Sequence, residues 1–166
     1  MERLSAILSE LSSPDEEADP LTRLDELDGL RATTVRLEQS LLRNLVLGKR
    51  HFAHCAICGE EFSSDLLVVA HIKRRASCSD IERRAYKSNL MTACAFGCDD
   101  LFERGYIVVK KGLLQAGPTT SKSGAVKRKV VALQGRHCSK WNAGSKKFFT
   151  WHRLNVQRLR NPQHSG

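Results

Sequence analysis

Between Arg104 and Gly166 the sequence has no aspartate and no glutamate, against fourteen lysines and arginines. A surface of one sign repels itself unless a polyanion lies across it, and nucleic acid is the commonest intracellular polyanion. The plainer alternative is a solvated basic face that only aids solubility. The chain also lacks any apolar stretch approaching a membrane span. Its N-terminus, "MERLSAILSELSSPDEEADP", is acidic where a signal peptide would be cationic, so a cytoplasmic protein without membrane contact is expected. There is no internal repeat, no glycine-rich phosphate loop and no heptad run of useful length.

What is present fits one ordinary domain with an added helix or arm: 166 residues, 41% hydrophobic and 27% charged. The net charge of +9 conceals an asymmetry. Residues 1–30 hold nine acidic and two basic side chains, which leaves +16 for the remainder. Six cysteines in an intracellular chain argue against a disulfide framework, so metal ligation and ordinary burial compete.

Along the chain, residues 1–20 read as an acidic flexible arm. Residues 21–50 read as a helical N-terminal region, with leucines at helical spacing from Leu21 to Leu47, a break at Asp28-Gly29 and a stop at Gly48. Those leucines either supply a homodimer contact or cover the domain's own sheet. Residues 51–160 read as the main domain, followed by a tail at 161–166. Within it "DLLVVAHI" (65–72) and "SNLMTA" (88–93) are strand candidates. "CDDLFERG" (98–105) is a short helix with Asp99 and Asp100 in its first turn, and "YIVVK" (106–110) and "KRKVVAL" (127–133) are further strands around a polar loop. "FFTWHRLNVQRLR" is a basic amphipathic helix on which His152 is half-buried.

The cysteines decide the competition by spacing. Cys55 and Cys58 form a Cys-x2-Cys knuckle and Cys94 and Cys98 a looser second pair. Two such pairs separated by a hairpin can converge on one tetrahedral Zn²⁺. The alternative is four small core residues. His51, His54 and Cys78 are substitute ligands should one of the four fail, and Cys78 and Cys138 otherwise read as incidental buried thiols.

Bracketed by the pairs are His71 at a strand end, Asn89 on the facing strand and Asp99 at a helix start. With Asn89 to Cys94 making an N-x4-C step, the segment "LLVVAHIKRR…NLMTACAFGCDDLFERGYIVV" resembles the HNH endonuclease family, in the zinc-containing branch with an Ala-His-Ile strand. "EQSLLRNLVLGKRHFAHCAICG" upstream and "LQGR…FFTWHRLNV" downstream extend the resemblance to residues 36–157. It implies an α+β fold, a ββα-metal core stapled by a structural zinc, with an N-terminal helix and a basic C-terminal extension. It implies a metal-dependent endonuclease that hydrolyses DNA phosphodiester bonds, in a restriction- or defence-like role. By position, His71 would be the general base, Asn89 would orient its ring, and Asp99 would hold a catalytic Mg²⁺ or Mn²⁺ against the scissile phosphate. Lys73, Arg74 and Arg75 would grip phosphates, as would Lys127, Arg128, Lys129, Lys146, Lys147 and Arg153 in the basic half.

The sequence departs from the family pattern in two places. Aspartate stands at Asp99 where the third letter of HNH is a histidine. Ala70 stands before the base where many members carry an acid or histidine, so Asp100 or Glu103 would have to assist the cation. The rival function is a zinc-stabilised nucleic-acid-binding module that does not cut.

Overall fold

The computed structural model describes residues 31–160. The acidic arm, the Asp28-Gly29 break and the tail lie outside the described residues. The chain divides into two units at Leu42/Arg43. Of the first, residues 31–42 are described and form the start of α1 (Arg31–Leu47). This helix stops where expected: the N–H of Gly48 closes on Asn44 O at 3.0 Å.

The second unit is a mixed α+β assembly of three two-stranded antiparallel sheets. β1 (Phe52–His54) pairs with β2 (Glu61–Ser63) around the first cysteine knuckle. β3 (Leu67–His71) pairs with β4 (Leu90–Cys94), Leu67 facing Cys94 and His71 facing Leu90. This register sets the histidine and the second knuckle at opposite ends of one hairpin. Leu67 and Val69 are buried on alternate positions of β3, as its pattern requires. Between the strands lie α2 (Asp80–Arg84) and α3 (Tyr86–Asn89). α2 starts on a reciprocal capping box of Ser79 and Glu82. α4 (Cys98–Glu103) follows β4 directly.

β5 (Ile107–Lys110) and β6 (Leu113–Ala116) form the third hairpin, with α5 (Gly124–Leu133) and α6 (Lys146–Arg160) after it. The three apolar residues of β5 are all buried. Phe148, Phe149 and Val156 of α6 are also buried, and Phe149 meets the ring of Phe102 edge-on at 6.1 Å.

Two expectations are corrected here. "KRKVVAL" is not a strand but the body of α5. Its valines tempt a strand reading through their β-branching, yet Val126, Val130 and Leu133 follow a helical i, i+4, i+7 period and are the residues of α5 turned inward. Asn89 is not on the facing strand; it ends α3, one residue before β4 begins. β6 lay unread in "KKGLLQAG". Lys111 and Gly112, at φ 52° and 83°, make the two-residue left-handed turn that joins it to β5. A Cβ on Gly112 would stand 3.0 Å from Trp141 Cδ1, so glycine also serves close packing there.

Candidate functional site

The first cluster is sulfur. The Sγ atoms of Cys55, Cys58, Cys94 and Cys98 all lie within 4.8 Å of one another. A tetrahedron with metal–sulfur bonds of about 2.3 Å has edges of about 3.8 Å, so a small inward rotation closes the four on one ion. The knuckles are preset for it. Gly59 N–H reaches Cys55 O at 2.9 Å, Cys94 N–H reaches Cys55 Sγ at 3.3 Å, and Gly97 takes φ 106° to turn the chain between Cys94 and Cys98. The thiols already share protons unevenly. The Cys98 thiol beside Cys55 holds Cys55 down at about 5, the same bond drives Cys98 far up, and burial raises Cys58 to about 11. A bound dication would resolve this competition by taking all four as thiolates. These four cysteines could hold a metal ion, and they are the only group of three or more metal-type side chains brought together among the described residues. His51 and His54 are exposed and outside the group, while Cys78 and Cys138 are buried elsewhere.

A strap of later sequence crosses both knuckles. Lys129 Nζ donates to Phe96 O in the second knuckle. Arg136 Nη1 donates to Cys58 O at 2.8 Å in the first and lies 3.6 Å from Glu60, while Ser139 N–H donates to Ala56 O at 3.1 Å. The sequence offered no signal for these contacts, because they join residues far apart in the chain through backbone carbonyls.

The second cluster surrounds the loop after His71. Asn89 is 2% exposed, and both ends of its carboxamide are bonded. Oδ1 accepts from Lys73 N–H at 2.7 Å, and Nδ2 donates to Lys73 O at 2.8 Å and to Cys78 Sγ at 3.5 Å. Both amide hydrogens are therefore spent, while Oδ1 keeps one lone pair. Asn89 thus clamps the main chain two residues beyond His71, so any hold on the ring acts through that backbone or through the second lone pair of Oδ1. Cys78, read as incidental, belongs to the same clamp, its Sγ 3.4 Å from Arg74 O.

Lys73 is also corrected. Only 7% exposed, it sets its ammonium 2.7 Å from Glu82 Oε2 and 5.2 Å from the Trp151 ring centre, where it braces the loop instead of facing solvent. Arg74 is exposed and reaches Glu103 Oε1 at 3.7 Å, which ties the loop to α4. Arg75 is half-buried, close enough to His71 to disfavour its protonation. Burial first, then Arg75, lowers the His71 pKa to about 4, so the half-buried ring is neutral at neutral pH.

Asp99 is half-buried at the start of α4, and burial, then Glu103 and Asp100, raises it to about 6. Asp100 is exposed and paired with Arg104 at 2.9 Å. With Arg104 it borders a cleft of about 380 Å³ between α4 and α5, lined also by Leu101, Tyr106 and Val126. His152 is 4% exposed, lies flat on Phe102 at 3.8 Å and places Nε2 3.0 Å from Phe102 O. It therefore holds α6 to α4. Lys127, Arg128, Lys129, Lys146 and Lys147 are exposed, and Arg153 is half-buried. No helix among the described residues is long and apolar enough to cross a membrane. Compared with known proteins, the chain matches no family model and no curated relative.

Proposed function

We propose that the protein is an HNH-type endonuclease whose four cysteines hold a structural zinc and whose His71 activates water for DNA phosphodiester hydrolysis. The observation that carries the reading is the clamp: a buried asparagine fastens the loop after a neutral histidine at the end of a hairpin, and the helix bearing Asp99 follows that hairpin directly. Strand, loop, strand and helix then occur in the order the resemblance implies. The sulfur pairs stand before β3 and across the junction of β4 and α4.

In this reading His71 takes the proton of the attacking water, a task open to a ring that stays unprotonated at neutral pH. Asn89 fixes the backbone behind it, and Lys73 supports the same loop from within through Glu82 and Trp151. Arg74 faces the phosphate at the cost of its contact with Glu103. A divalent cation on Asp99, when bound, would supply charge stabilisation at the phosphate and the leaving oxygen. The C-terminal cations hold the DNA backbone.

Supercoiled plasmid incubated with Mg²⁺ or Mn²⁺ tests the proposal. Nicking or linearisation is expected, and His71→Ala should slow it by about 100-fold or more. Cleavage indifferent to His71 overturns the mechanism. DNA binding with no metal-dependent cleavage replaces it with the non-cutting, zinc-stabilised module. That second reading is favoured by one observation: the sulfur group alone gathers three or more metal-type donors among the described residues.

A further inference from the structure

α5 carries Lys127, Arg128 and Lys129, to which the proposed function gives only a hold on the DNA backbone. Its inward side is narrow: Val126 and Val130 are half-buried, Leu133 is buried, and Lys129 and Arg136 fasten the helix and its exit to the two cysteine knuckles. The opposite side is unusual. A surface helix ordinarily turns long polar side chains outward. Here the outward stripe, at i, i+4 and i+7, is Gly124, Arg128 and Val131, flanked by Ala132, and all four are exposed, Val131 at 66%. Arg128 extends along this stripe, its Nη1 3.3 Å from where a Cβ on Gly124 would stand.

We propose that α5 lies in the major groove of duplex DNA, with Gly124, Arg128 and Val131 toward the base edges and Lys127 toward a flanking phosphate. The inference rests on the protein acting on DNA but not on His71. Short outward side chains let a helix backbone approach closely. A helix about 10–12 Å across fits a groove about 12 Å wide. The single long side chain on the stripe is arginine, the residue suited to two acceptors on one guanine. Charge complementarity selects the occupant. Lys127 lies beside the stripe, Lys122 precedes the helix by two residues and α5 itself holds no acid, so a polyanion meets attraction along the exposed side of the helix. A protein partner would have to bring a matching row of acids to pair these cations, whereas duplex DNA carries its phosphates at a regular spacing along its whole length.

The experiment is fluorescence anisotropy with the full chain, a labelled duplex of about 20 base pairs and no divalent cation. It is carried out in a His71→Ala background so that binding is read without cleavage. Val131→Glu should weaken duplex binding by about tenfold or more and Arg128→Ala several-fold, while Lys127→Ala, at the flanking phosphate, should reduce the slope of log affinity against log salt by about one. Lys111→Ala, on the β5–β6 turn, should change affinity less than twofold. Melting temperatures should stay level, since these side chains are exposed. Methylating guanine N7 in the duplex should weaken the unmodified stripe and leave Arg128→Ala indifferent.

The proposal is overturned by no duplex binding in the parent, by Val131→Glu within twofold of it, or by indifference of the parent to N7 methylation. Equal loss on vesicles of anionic lipid would also overturn it, by showing generic charge attraction. Failure here leaves the plasmid-cleavage test of His71 standing, and failure of that test leaves these affinities meaningful.

Discussion

Two basic triplets, Lys73-Arg74-Arg75 and Lys127-Arg128-Lys129, read alike in the sequence and are built differently in the fold. The first is drawn inward: Lys73 is buried against Glu82 and Trp151, and Arg74 reaches Glu103. The second stays outside, where Lys127 and Arg128 form no ion pair with any described residue and only Lys129 is engaged, by a carbonyl. The difference is in the acids. Glu82 and Glu103 lie within reach of the first triplet, whereas no described acid pairs with Lys127 or Arg128 of the second. A charge run is thus drawn into the scaffold where it has counter-charges and stays exposed where it has none.

The largest effect that would sharpen this contrast comes from the sulfur site, since both knuckles carry the strap that positions α5. The isolated protein should contain about one zinc per chain by elemental analysis. Cys55→Ser, or a strong chelator, should cost at least about 3 kcal/mol and lower the melting temperature by about 10 °C. If α5 is held as the contacts indicate, duplex affinity should fall along with it.

Breaking the inward triplet comes next. Lys73→Ala leaves Glu82 only its bond from Ser79 N–H and empties the space over Trp151, for about 2 kcal/mol in a urea titration, while Lys127→Ala should leave the curve in place. Equal effects would erase the distinction. Asn89→Ala, which removes two hydrogen bonds to the Lys73 main chain, should cost about 2 kcal/mol, and it should slow cleavage beyond what stability explains.

The smallest effect is titration. Burial lowers His152 to about 4 despite the opposing pull of Phe102 O, and Arg74 adds to the depression. Below about pH 6.5 the unfolded chain takes up a proton at this ring that the folded chain refuses until about pH 4. The stability owed to this ring is therefore level above that window and falls as pH drops through it, while Asp99, raised to about 6, acts with the opposite sign. His152→Gln should flatten the fall by about 1 kcal/mol between pH 6.5 and pH 4.5, measured by denaturant melts at each pH. His71, also lowered to about 4, contributes with the same sign.

By itself the sequence determined the local features. The cysteine spacings, the stop at Gly48, the strand ending in His71, the acid-led helix at Cys98 and the basic amphipathic helix at the end were all legible, because each rests on neighbours a few residues apart. The capping box Ser79–Glu82 and the Lys111-Gly112 turn were equally local signals, and they mark the elements α2 and β6. What only the tertiary structure decided were the partners. Asn89 spends its amide on Lys73, Lys73 finds an acid and an indole, and Lys129 and Arg136 lie across the sulfur knuckles. α5 turned from expected strand to helix for a related reason: three apolar residues at helical spacing reach the body of the fold, and that outweighs the strand preference of valine. A side chain's type sets what it can bond to, but burial and the groups that folding brings beside it select which bond forms.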